Sequence, residues 1–225
     1  MKKYVWLAFL LAAFVFTACD NDDSDVVGES VPFYQKLGVE YNITQNHTRV
    51  GANFNKNNSK GANMKLGGSS SIRFNNISPK FLSVGEYFYT HSFNGLEDIT
   101  FTFTRSKGNV FTNVASLKDI NPIAIPDTFT TVSVSGNTTL TWEGEPIGAN
   151  EYVQVRIEFK GGVNTVYNRN EGGKTITVNF ANPAAAGKAT LFLSRIKTLP
   201  LQQSNGDAGG RLDVSYVKDK EIILQ

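Results

Sequence analysis

The sequence predicts an all-β protein, on three observations: period-two alternation of apolar and polar residues, glycine-centred turns between the alternating stretches, and almost no helical periodicity. The alternation opens with Leu37, Val39, Tyr41 and Ile43 set against Gly38, Glu40 and Asn42, and Val50, Ala52 and Phe54 continue it. In residues 99–104 an isoleucine and two phenylalanines alternate with threonines. Val153, Val155, Ile157 and Phe159 alternate with Gln154, Arg156 and Glu158, and Ile176, Val178 and Phe180, then Leu191 and Leu193, repeat the pattern. Successive strand side chains point to opposite faces, so alternation places one face on a core and the other in water, as in half-buried antiparallel sheets.

Turns are expected at Lys107-Gly108-Asn109, Ser135-Gly136-Asn137, Lys160-Gly161-Gly162 and Glu171-Gly172-Gly173, where glycine supplies positive φ. Residues 182–188, with three alanines, have room for one helical turn. About fourteen strands result, twice the number in a seven-stranded sandwich. Pro122 and Pro126 interrupt the pattern midway. The expectation is two tandem Ig-like antiparallel β-sandwiches, residues 31–125 and 126–225, each of ordinary domain size. One large β-sandwich is the alternative. The stretches LTWEGEPIGANEYVQV and GANMKLGGSSSIRFN resemble tandem β-sandwich proteins of bacterial envelopes, a resemblance that implies no activity.

The N-terminus follows the order of a secretory signal. Lys2 and Lys3 precede an apolar run from Tyr4 to Phe16, shorter than the roughly 20 residues a membrane-spanning helix needs. Residues 1–18 are therefore read as a signal peptide, followed by Cys19, the single cysteine of the chain. Phe16-Thr17-Ala18-Cys19 resembles the lipobox of bacterial lipoproteins, with Phe16 departing from the usual Leu or Val. The resemblance implies acylation of Cys19, and two or more acyl chains anchor a protein stably.

Asp20, Asp22, Asp23 and Asp25 then put four carboxylates into six residues. Such a run repels itself and buries no apolar surface, so residues 19–30 are expected to form a solvated tether. The run also resembles the acidic export signal of Bacteroidetes-type surface lipoproteins. That implies an outer-membrane protein exposed at the cell surface. A spacer holding the body off the periplasmic face of a membrane is the alternative.

Without the signal, 20 basic and 20 acidic residues remain, and residues 31–225 carry a net charge of +5. That excess is scattered, as in Lys56, Lys60 and Lys65 or Arg156 and Lys160, with no basic block interleaved with aromatics, so nucleic acid is excluded as a partner. With Cys19 acylated, thiol catalysis, redox shuttling and cysteine-ligated metals are excluded as well.

No catalytic constellation emerges. His47 and His91 stand in unrelated segments and are read as strand-edge or turn residues. Glu171-Gly172-Gly173-Lys174-Thr175 ends like a phosphate loop, but Asn168 stands where its first glycine belongs and a strand, not a helix, follows. The carboxylate pairs Glu97-Asp98 and Glu143-Gly144-Glu145 read as solvated loop acids. No catalytic residue, metal ligand or cofactor is assigned. The candidate ligand site is Trp142 as a stacking platform for a sugar ring, with Glu143 and Glu145 bonding its hydroxyls. Against this, Ig-like sandwiches bury a tryptophan, and Trp142 alternates with Leu140. In Tyr87-Phe88-Tyr89 the two tyrosines share a face and Phe88 takes the other.

The function expected is that of a lipid-anchored envelope protein, a non-catalytic module binding a glycan or an envelope protein. The alternatives are a structural subunit that resembles fimbrillin-type lipoproteins and assembles by strand addition, or a hydrolase using loop carboxylates.

Overall fold

The structure, a computed structural model, describes residues 21–24, 30–105 and 108–225. Residues 1–18, read above as a signal peptide, together with Cys19, Asp20, Asp25 and Lys107 of an expected turn, lie outside the described residues. Among the described residues the chain forms eighteen strands and three single 3₁₀ turns. Among the described residues no helix is long and apolar enough to cross a membrane.

In the first half lie β1 (Asn21–Asp23), β2 (Phe33–Asn42), β3 (His47–Lys56), β4 (Asn63–Lys65), β5 (Ser71–Phe74), β6 (Lys80–Val84), β7 (Glu86–Asn94), β8 (Ile99–Thr104) and β9 (Val110–Ala115). In the second lie β10 (Ile123–Ala124), β11 (Thr131–Val132), β12 (Ser135–Thr141), β13 (Glu143–Gly144), β14 (Glu151–Phe159), β15 (Gly162–Asn168), β16 (Thr175–Ala181), β17 (Gly187–Leu199) and β18 (Gly210–Leu224). The main sheet has eleven strands, ordered β1-β4-β3-β2-β18-β17-β14-β15 along its central path, with β7 on β3, β6 on β7 and β11 on β18. Smaller sheets β5-β8-β9, β12-β16 and β10-β13 complete the fold.

The all-β class is observed, and the alternation sorts side chains as expected. In β2 the residues Phe33, Gln35, Leu37 and Val39 are buried, and Tyr34, Lys36 and Gly38 between them are half-buried. The inward residues gather into two apolar clusters. One holds Phe33, Val50, Phe54, Phe74, Phe101, Phe103 and their neighbours up to Ile120, together with Leu212 and Val214 from the far end of the chain. The other holds Ile123, Leu140, Trp142, Val155, Val178, Leu193 and Leu224 among others. Tyr216 packs against both.

The shared element is β18. Its first eight residues pair in parallel with β2, from Gly210 opposite Gln35 to Val217 opposite Asn42. Thirteen of its residues pair antiparallel with β17. Two more ladders are parallel, β1 with β4 and β11 with β18, so the sheet is mixed rather than purely antiparallel. Parallel neighbours need long connections, and β2 and β18 stand at opposite ends of the chain.

Two local expectations are corrected. Ser135-Gly136-Asn137 is not a turn: all three residues lie in β12, opposite Ala181, Phe180 and Asn179 of β16. The acidic tether is not solvated throughout, because Asn21–Asp23 docks as β1 beside β4 and Ser24 is buried behind it. The turns at Lys160-Gly161 and Glu171-Gly172 fall as expected. Gly172 has φ 77°, and Pro183–Ala185 forms the single helical turn anticipated in residues 182–188.

Candidate functional site

On the outer face of the main sheet, the positions that alternate with the buried Leu37, Val39, Val50 and Ala52 line a trough of about 450 Å³. Its floor is a gap in the side-chain layer. Gly38 of β2 lies opposite Gly51 of β3, and on its other side opposite Asp213 of β18. Neither glycine has a positive φ, so backbone conformation does not require them. What they supply is room: a Cβ on Gly51 would overlap the tip of the Phe88 ring, which lies over it from β7. Phe88 is 37% exposed, which leaves an aromatic surface open to a ligand.

Around this floor the charges are matched. Arg49 and Glu40 approach to 3.5 Å, and Arg211 Nε lies 3.1 Å from Asp213 Oδ2. Asp213 also accepts a hydrogen bond from the Thr198 hydroxyl at 2.7 Å, and Glu86 accepts one from Asn53 Nδ2 at 3.0 Å. Lys36 and Ser215 complete the polar lining. At the β14 end stands Tyr152, its ring covered by the Arg169 guanidinium at 4.2 Å and tilted against Tyr167 at 6.2 Å. Burial raises the Tyr152 phenol above its ordinary range and the Asp213 carboxylate adds to this, against opposing effects from Arg169 and Arg211. The phenol therefore stays a hydrogen-bond donor at neutral pH.

The residues singled out from the sequence do not form a site of the kind expected. Trp142 is buried in the second cluster with 1% of its surface exposed, and its indole Nε1 donates to the Glu145 carbonyl at 3.1 Å. A ring so enclosed offers no face to a sugar, which corrects the stacking role. Glu143 and Glu145 are exposed, but the Glu145 main chain is a structural anchor. Its carbonyl also accepts from Arg195 Nη2, which bonds the Pro146 carbonyl at 3.2 Å as well. Arg195 is fully buried, 3.9 Å from the Glu151 carboxylate, and burial lowers its pKa against the opposing pull of Glu151 and Glu145. Asp23 pairs with Lys65 at 3.8 Å. Asp22 lies in β1, opposite Met64.

His47 and His91 fall on the neighbouring strands β3 and β7 but three register positions apart, and so on opposite faces. His91 packs edge-on against Phe93. Among the described residues no group of three His, Cys, Asp or Glu is placed to hold a metal. The trough residues Gly38, Gly51, Phe88, Tyr152, Arg211 and Asp213 were not assigned from sequence. The available signal was glycine inside two strand patterns, which marks close approach of another group.

No family model matches the sequence, and no curated protein matches it. Among solved structures, the chain is similar to fibronectin(III)-like modules of Clostridium thermocellum CbhA, at 8% identity over 84% of this chain and 94% of that one, with a TM-score of 0.24. It is similar to a structure from a 1.5-MDa bacterial ice-binding adhesin, at 12% identity over 86% of this chain and 65% of that one, TM-score 0.25. Titin domains A168–A170 match at 12% identity over 87% and 67%, TM-score 0.22. Superposition at this level leaves the reading of the site to its own geometry.

Proposed function

We propose that the protein is a lipid-anchored module of the bacterial outer membrane, exposed at the cell surface, that binds a neutral glycan along the trough without chemical turnover. The observation that carries the reading is the Gly38–Gly51 floor with the Phe88 ring laid over it. A missing pair of side chains beside an aromatic face fits the flat C–H side of a sugar ring. The surrounding Arg–carboxylate pairs and the Tyr152 hydroxyl offer donors and acceptors to its hydroxyls. Balanced charge favours an uncharged ligand over an anionic one. The trough carboxylates Glu40, Asp213 and Glu86 each hold a cation or an amide, an arrangement suited to gripping hydroxyls rather than to activating water. The N-terminal lipobox and acidic run support the location.

The test is calorimetric titration of the Cys19→Ala mature protein with neutral and anionic polysaccharides of envelope, host and dietary origin. Saturable binding of a neutral glycan, lost in Phe88→Ala and unchanged in Glu143→Gln, is expected. Binding indifferent to Phe88→Ala, or confined to anionic polymers, would overturn the reading. Product released from a bound glycan would overturn its non-catalytic part.

A further inference from the structure

We infer that the protein stands directly on its membrane on one end of the main sheet, the end formed by the β3–β4 loop (residues 57–62), with a phospholipid surface as the partner of that end. The inference rests on the acylation of Cys19 proposed above.

The geometry begins with β1. Asn21, Asp22 and Asp23 lie opposite Asn63, Met64 and Lys65 in a parallel ladder. Ser24 extends the attachment: its amide donates to the Lys65 carbonyl at 2.8 Å, and its hydroxyl accepts from the Gly67 amide at 2.7 Å. Ser24 is 4% exposed, and Asp23 pairs with Lys65. The chain is thus fixed to the body of the protein from Asn21 onward. Two residues of fully extended chain span about 7 Å at most, which bounds the separation of Cys19 from Asn21 whatever path the chain takes. An anchor on so short a lead cannot hold the body away from the lipid.

Direction follows from the parallel pairing. The chain enters β1 on the side where β4 begins, which is the side of the loop that precedes Asn63. That loop packs beside the start of β2, with the Asn57 amide donating to the Pro32 carbonyl at 2.8 Å. Asn57, Asn58, Ser59 and Lys60 are all exposed, and residues 57–62 contain no acid. The carboxylates on this side are Asp20, which precedes Asn21 in the chain, Asp22, opposite Met64, Asp23, paired with Lys65, and Asp207 in the turn Gly206–Ala208. Contact with the membrane is therefore set by the short lead from Cys19, and Lys60 adds an attraction to phosphate headgroups that acts within a Debye length of the surface.

The experiment uses the full lipidated protein in vesicles of phosphatidylethanolamine and phosphatidylglycerol containing a lipid with a nitroxide headgroup, a short-range quencher. A fluorophore is attached at Ser59→Cys or at Gln45→Cys, each the single free thiol once Cys19 is acylated. The two positions sit at opposite ends of β3, whose ten residues separate them by about 30 Å. Loss of most of the emission at position 59, with position 45 unquenched, is expected. Equal quenching at both, or quenching at neither, would overturn the inference. A glycine–serine insertion between Asp20 and Asn21 should abolish the quenching at 59, and its persistence would also overturn it. Failure of the acylation reading is seen separately, as unmodified protein that does not partition into vesicles at all.

Discussion

The carbonyl of Glu145 accepts hydrogen bonds from two buried donors at once, the Trp142 indole and the Arg195 guanidinium. This joins the β13–β14 loop to the interior of β17, and it places Trp142 where no ligand can reach it. Trp142 emission should accordingly be blue, resistant to iodide, and unaltered by any glycan that binds the trough. Trp142→Ala should cost about 3–5 kcal/mol, as for other large aromatic truncations in a core, and urea unfolding measures it.

Arg195 supplies a second prediction on the same node. Its Nε and Nη1 are buried without hydrogen-bond partners, and its charge is balanced by Glu151, whose carboxylate also accepts from the Gly148 amide at 3.0 Å. Truncating one member of a buried pair strands the other. Arg195→Ala should therefore destabilise by about 3–5 kcal/mol. Arg195→Met combined with Glu151→Gln should recover part of that loss, and a double-mutant cycle in urea reads the coupling.

Gly51→Ala should act on binding far more than on stability. The added methyl meets the far end of the Phe88 side chain, which can swing outward, so the destabilisation should stay within about 1 kcal/mol, below the usual range for overpacking a closed core. Glycan affinity should fall as in Phe88→Ala. An unfolding curve and a calorimetric titration on the same sample separate the two effects.

The edge of the small sheet is guarded by side-chain amides. Gln203 accepts from the Thr112 amide at 2.7 Å, and Gln202 both accepts from the Val114 amide at 2.6 Å and donates to its carbonyl at 3.0 Å. These groups occupy the positions a neighbouring strand would take, beside the exposed Val110 and Val114. The double change Gln202→Ala, Gln203→Ala should open a template for strand addition. Concentration-dependent association by light scattering is expected, with little change in far-ultraviolet circular dichroism.

Alkaline pH should weaken the fold. Burial raises the pKa of Tyr89, Tyr152 and Tyr216 above the ordinary value of 10.0. A folded-state pKa above the unfolded one gives stability that is complete below pH 10 and is lost as pH rises toward the folded value. Tyr89→Phe should flatten that decline. It should also cost about 0.5–1.5 kcal/mol at neutral pH, because the hydroxyl that accepts from the Leu66 amide at 2.6 Å is gone. Denaturation midpoints between neutral pH and pH 11 test both statements.

By itself the sequence determined the strand class, most turns and the inward faces, because a strand's side-chain period is two and is written locally. Leu37 and Val39, Val153 and Val155, and Ile176 and Val178 are all buried as their alternation requires. Burial of Trp142 was legible in the same way, from its spacing to Leu140. Tertiary structure alone decided which strands are neighbours. Nothing local to residues 210–224 says that β18 pairs in parallel with β2 near the start of the chain, carrying Leu212 and Val214 into the first cluster. The trough is invisible in sequence for the same reason. Gly38, Gly51, Phe88, Tyr152 and Asp213 come from five strands, and only register across hydrogen-bonded ladders sets two absent side chains opposite one another. The docking of Asn21–Asp23 reversed a reading based on composition, since local charge predicts solvation but cannot register the unpaired edge of β4 that accepts a strand.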